Sequence, residues 1–157
     1  INAELSLNWP KFGIQMGYTV QSSKYKKLEE LIEGVAPQRE MARTPDNYGY
    51  VVVNYSPCRN FAASLSGNQT GRMYILHVTP EGVANALIRS EEFFDLGFKL
   101  AYTIPLTQTI GLEINGGMKN VIDSFQKQLD YGAQKDAGFI YGPTPPRTFF
   151  SGVKFTL

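Results

Sequence analysis

Phe12-Gly13-Ile14-Gln15-Met16-Gly17-Tyr18-Thr19-Val20 is the stretch that decides the fold class. Its apolar residues Phe12, Ile14, Met16, Tyr18 and Val20 alternate with Gly13, Gln15, Gly17 and Thr19. Successive side chains of a strand point to opposite faces, so this period of two gives one apolar face and one small or polar face. Working outward, Leu5, Leu7 and Trp9 repeat the pattern before it, as do Val51, Val53 and Tyr55 after it. Phe61, Ala63 and Leu65 follow, with Gly67 interrupting the apolar face. The clearest later example sets Phe94, Leu96, Phe98, Leu100 and Tyr102 against Asp95, Gly97, Lys99 and Ala101. Ile110, Leu112 and Ile114 alternate with Gly111, Glu113 and Asn115. The last segment places Phe149, Ser151, Val153, Phe155 and Leu157 opposite Phe150, Gly152, Lys154 and Thr156. About seven strands are expected.

The connections between these strands alternate in length. Pro10-Lys11, Ser56 to Asn60 and Ile104 to Thr109 are short, whereas about 23–47, 72–92 and 120–147 are long. Structureless loops beyond about 12–15 residues are uncommon in compact soluble domains. Three of them at one end of an antiparallel meander match the outer-membrane pattern of short periplasmic turns and long external loops. The faces agree. The apolar sides are continuous, and Asp95, Lys99, Glu113 and Lys154 all fall on the opposite sides. Lipid offers backbone and side chains no hydrogen bonds, so a membrane-facing side must be apolar, while charges can face a wet lumen. Trp9, Phe12, Tyr55, Phe61 and Tyr102 near the short turns, with Tyr18, Tyr48 and Phe94 nearer the long loops, would form two interfacial girdles. A soluble β-sandwich also alternates apolar-in and polar-out, so alternation alone leaves both readings open. The loop lengths favour the barrel.

Composition narrows the function classes. The 157 residues are 43% hydrophobic, 13% aromatic and 18% charged, with a net charge of +1, so neither a basic field for nucleic acid nor an acidic tail is present. A single cysteine, Cys58, excludes an intrachain disulfide framework and a multi-cysteine metal site. A single histidine, His77, reads as an exposed loop residue with no nucleophile beside it. Glu91, Glu92 and Asp95 read as a solvated loop edge, and the glycines show no phosphate-loop spacing. No catalytic set can be assembled, so an enzyme is not expected, and neither is a cofactor or a metal. No apolar run approaches the roughly 18 residues of a membrane helix, so any crossing must be made by strands. In the first long loop, Leu28, Leu31, Ile32 and Val35 sit at near-helical spacing, predicting a short amphipathic helix within Lys24 to Gly34. It would either cap a ligand site or simply pack on its neighbours. Val83 to Phe93 is expected to hold another helical turn.

At the last strand the sequence resembles a known family. Tyr141-Gly142-Pro143, Pro146-Arg147-Thr148-Phe149-Phe150 and Gly152-Val153-Lys154-Phe155 resemble the final barrel strand of TonB-dependent outer-membrane receptors. Gly117-Met118-Lys119-Asn120-Val121-Ile122-Asp123 looks like a second segment of that family, with Ile122 in place of the usual Phe. Arg43-Thr44-Pro45-Asp46 and Asn47-Tyr48-Gly49-Tyr50 are similar to a stretch common in the receptors of Bacteroides-like bacteria. Leu157 departs from the family's usual terminal aromatic.

The resemblance implies an all-β, antiparallel up-and-down meander of about seven strands, part of a 22-stranded transmembrane β-barrel in the bacterial outer membrane. Residues 1–157 would be the C-terminal portion of the barrel domain, cut from a longer chain and lacking its plug domain. The implied function is import of a scarce nutrient: iron-siderophore, haem, vitamin B12 or glycan. The implied partners are the plug and remaining barrel of the same receptor, the TonB complex, the barrel-assembly machinery and outer-membrane lipid. Phe149, Val153, Phe155 and Leu157 would form the signal read by that machinery; the ligand-binding residues are not legible. Two rivals stay open: a soluble β-sandwich or β-barrel ligand-binding module, and another outer-membrane barrel serving as adhesin or enzyme.

Overall fold

The computed structural model describes residues 1–79, 85–133, 135–143 and 145–156. Seven long strands form one antiparallel sheet: β1 (Asn2–Trp9), β2 (Phe12–Val20), β5 (Asn47–Cys58), β6 (Phe61–Thr70), β9 (Phe93–Pro105), β10 (Gly111–Lys119) and β11 (Thr148–Thr156). They lie in chain order, every neighbour antiparallel, as the alternation predicts. Two short ribbons complete the described elements: β3 (Lys24–Glu29) with β4 (Gln38–Glu40), and β7 (Tyr74–His77) with β8 (Ala86–Arg89). The seven strands run 8 to 13 residues, bracketing the about 9–11 that a tilted strand needs to cross a bilayer. No helix among the described residues is long and apolar enough to cross a membrane.

The register sorts the two faces. Leu7 faces Ile14, Ile14 faces Val53, and Val53 faces Leu65, which faces Phe98. Across the other half, Tyr102 faces Ile114, which faces Val153. One apolar surface therefore runs unbroken from β1 to β11. Its side chains remain open: Leu5 is 46% exposed, Leu100 46%, Ile114 49% and Phe155 67%. The buried hydrophobics among the described residues are Ile75, Phe93 and Phe139, and all three lie at the long-loop end. This inverts a soluble sandwich, in which a second sheet would cover the apolar face.

Two sequence expectations change here. The helix expected within Lys24–Gly34 is instead strand β3, paired with β4, and Gly34 sits in the following turn at φ +83°. Leu28 stays 66% exposed, whereas Leu31, Ile32 and Val35 lie half-buried in the connection after β3, so the near-helical stripe is divided rather than packed together on one face. Helices of this length are marginal without such packing, and cross-strand pairing takes the backbone hydrogen bonds instead. The helical turn expected within Val83 to Phe93 is strand β8 at Ala86–Arg89; residues 80–84 lie outside the described residues. A further correction concerns the girdles. Tyr48 pairs with Thr19 and so points to the polar face, not with Tyr18 toward the apolar one.

Candidate functional site at the long-loop end

The three long connections, 21–46, 71–92 and 120–147, gather at one end of the sheet and interlock. Phe93 opens β9 on the same face as Asp95 and Lys99, the polar face. Tyr141 covers Phe93 with ring centroids 6.0 Å apart, and Gly142 lies so close that a Cβ there would meet Phe93 Cζ at 2.6 Å. The third loop thus folds over the polar side of the sheet. Gln126 organises it: its Oε1 accepts from the amides of Tyr141 (2.9 Å) and Gly142 (3.3 Å), and its Nε2 donates to the Phe139 carbonyl (2.8 Å). Burial of Tyr141 raises its phenol pKa, with Glu91 adding to the shift.

His77 is the clearest departure from the sequence reading. It is half-buried rather than exposed, because Phe139 stacks on its ring at 4.1 Å and Asp130 Oδ2 lies 2.7 Å from Nε2. The Asp136 amide donates to the same Asp130 oxygen, and Asp136 Oδ2 accepts from Val78. These bonds tie the second loop to the third. The His77 hydrogen bond, then the Asp136 amide, hold the Asp130 carboxyl below its ordinary range.

The first loop joins through Arg43, a residue of positive φ (57°). Its amide donates to the Tyr74 carbonyl at 2.7 Å, and its guanidinium donates to the carbonyls of Gly138 and Ile140. Between the first two loops lies a polar cleft of about 220 Å³. Its walls carry the ion pairs Lys24–Glu40 (3.2 Å) and Arg89–Asp46 (2.7 Å), with Arg89 over the Tyr74 ring at 5.8 Å. Glu40 is held below its ordinary pKa, first by its backbone amide and then by Lys24. Among the described residues, no group of His, Cys, Asp and Glu is arranged to hold a metal ion.

The segments that carry the resemblance meet one another. Asn120, buried and at φ 49°, donates to the carbonyls of Ser124 and Pro145, and Arg147 bonds Asp123 Oδ1 and the Val121 carbonyl. Arg43–Asp46 forms the hub of the first loop. Phe149, Val153 and Phe155 stand on the apolar face of β11, 72%, 63% and 67% exposed; Leu157 lies outside the described residues. Cys58 is exposed at the short-turn end. Glu92 pairs with Arg72 at 3.5 Å, and Asp95 accepts from the Asn120 amide. The contacts of His77 and Arg43 between loops, and those of Gln126 within the third, had no sequence signal, because their partners lie 13 to 97 residues away.

A seven-stranded antiparallel meander with one open apolar face and loops folded over its polar face has the form of a sector of barrel wall. Compared with solved structures, the chain matches part of a TonB-dependent receptor barrel. It superposes on the ferric-catecholate import receptor Fiu from E. coli K12, in its closed form, with a TM-score of 0.66 and 18% identity. The match covers 99% of this chain and 20% of that receptor. No protein-family model matches the sequence, and no curated protein does.

Proposed function

We propose that the chain is the C-terminal sector of the barrel of a TonB-dependent outer-membrane receptor, and that the whole receptor imports a scarce nutrient. One observation carries this reading: the apolar face of the sheet is open from β1 to β11, while the buried hydrophobics belong to the loop end. A hydrocarbon surrounding favours that arrangement, because monomers in water rarely expose contiguous apolar patches beyond a few hundred Å². Seven strands would supply about a third of a 22-stranded wall, whose lumen is plugged in transporters of that size. The interlocked loops fold over the polar side, where a ligand entering the lumen would meet them. The remaining barrel, the plug, the TonB complex and the assembly machinery are the partners this reading requires, and its role is transport rather than catalysis.

The test is expression of the intact receptor in a Gram-negative host. The outer-membrane fraction should contain a species whose electrophoretic mobility changes on boiling, and uptake of a labelled nutrient should require a functional TonB complex. Recovery of the receptor from the soluble fraction without detergent would refute the proposal.

A further inference from the structure

Among the described residues, the non-glycines with a positive φ are Arg43, Asn120 and Asp123. Asn and Asp visit that region readily, because their short polar side chains bond locally. An arginine held there costs free energy and persists only where its surroundings over-determine it, which is a mark of switch regions. The surroundings of Arg43 come from all three long loops. It belongs to the first, its amide donates to the Tyr74 carbonyl of the second, and its guanidinium donates to the Gly138 and Ile140 carbonyls of the third. These acceptors are neutral and the guanidinium contacts are exposed, so water can replace them at small net cost.

The strap that Arg43 grips, residues 136–140, is braced as a unit. The Gly138 amide donates to Asp136 Oδ1 at 2.7 Å and the Phe139 amide to the Asp136 carbonyl at 3.0 Å. Behind it, the buried Gln126 holds the Phe139 carbonyl. The seam toward the second loop is weaker. Val78 donates to Asp136 Oδ2 in an exposed bond, His77 meets Asp130, and the Phe139–His77 stack is an apolar contact across it. We propose that Arg43 is the strained keystone of a two-state latch. In one state it clasps the strap to the first two loops. In the other its guanidinium lets go, its backbone relaxes to negative φ, and the strap parts from the second loop as one body with Gln126. Relief of strain favours release, while the stack and the seam bonds favour the clasp, so the two states lie close in free energy. The consequence rests on the receptor reading: the third loop covers the polar side, which is the lumen there, so release uncovers the mouth.

Nitroxide labels across the seam provide the test. The intact receptor carries Cys58→Ser with Val78→Cys and Ala137→Cys, two exposed positions beside the Asp136–Val78 bond, and is reconstituted into phosphatidylcholine vesicles. Clasped receptors hold the labels close, and dipolar coupling broadens the spectrum. Released receptors give an unbroadened fraction, for which singly labelled receptors set the baseline. We expect that fraction with Arg43 intact. Arg43→Ala, which loses the guanidinium but keeps the strain, should raise it several-fold. Arg43→Gly, unstrained at this φ, should raise it less. No unbroadened fraction with Arg43 intact would overturn the proposal even where a variant fails to fold, and equal fractions in the two variants would overturn the strained keystone. Boiling-dependent mobility in the same samples tests the barrel separately: its loss sinks the receptor reading, whereas a fully broadened spectrum from an inserted barrel sinks only the latch.

Discussion

Tyr50 faces Gly17 across the β2–β5 ladder and its ring fills the space a side chain there would need: a Cβ on Gly17 would sit 2.5 Å from Tyr50 Cε1. One step along, the roles reverse, and Tyr18 covers Gly49 on the opposite face. Each strand thus contributes one ring and one glycine, and both faces are packed at one level of the wall. Such aromatic cover over a strand glycine pins register. We expect Gly17→Val to destabilise the refolded receptor by about 1–3 kcal/mol through overpacking. Gly111→Val, whose Cβ would meet Thr103 at an ordinary 3.4 Å, should cost less. Urea titration of the detergent-refolded receptor measures both; equal losses would remove the special role of the pair.

The His77–Asp130 bond predicts a loop clasp with an acid limit. The folded pKa of Asp130 is depressed from 3.8. A depressed carboxylate contributes stability that is present above its unfolded value and is lost as pH falls through the folded one. The clasp should therefore hold from neutral pH down to the ordinary carboxylate range and open below it. Asp130→Ala should speed hydrogen exchange at the amides of Val78 and Asp136 already at neutral pH. Unchanged protection there would show that Phe139 stacking alone holds the loops.

Cys58 sits exposed at the short-turn end, which the outer-membrane pattern places in the periplasm. A membrane-impermeant maleimide added to intact cells should leave Cys58 of the full receptor unlabelled, and permeabilised cells should label. Efficient labelling of intact cells would reverse the orientation.

Phe149, Val153 and Phe155 project from the apolar face of β11 at alternate positions. We expect deletion of Phe155 to Leu157 in the intact receptor to block insertion, leaving the protein in the periplasm or degraded. Immunoblots of outer-membrane fractions check this, and wild-type levels of the truncated receptor would end the idea.

Strands β1 and β11 are the two ends of the sheet order, and with seven strands they run in the same direction. Each presents a row of unpaired backbone groups. The isolated 157-residue piece should therefore associate through its edges and apolar face. Light scattering without detergent reads this out, and a sharp monomer peak would contradict both the open sheet and the membrane reading.

Residue alternation by itself determined the seven wall strands, their order and which face is apolar. Those properties are local: a period of two assigns Phe12 to Val20 to a strand, and short turns such as Pro10-Lys11 force adjacent pairing. The final-strand segment Pro146 to Phe155 likewise pointed to the receptor class from contiguous residues. The loops were another matter. Near-helical spacing at Leu28, Leu31, Ile32 and Val35 suggested a helix, but Leu28 joins a strand pair while the other three lie half-buried in the connection that follows. His77 looked solitary because Asp130 lies 53 residues away, and Arg43 reaches carbonyls more than 90 residues on. The polar cleft between the first two loops likewise exists only once the fold sets distant residues side by side. The tertiary structure decided these features because their energies come from contacts between segments, which no window of sequence contains.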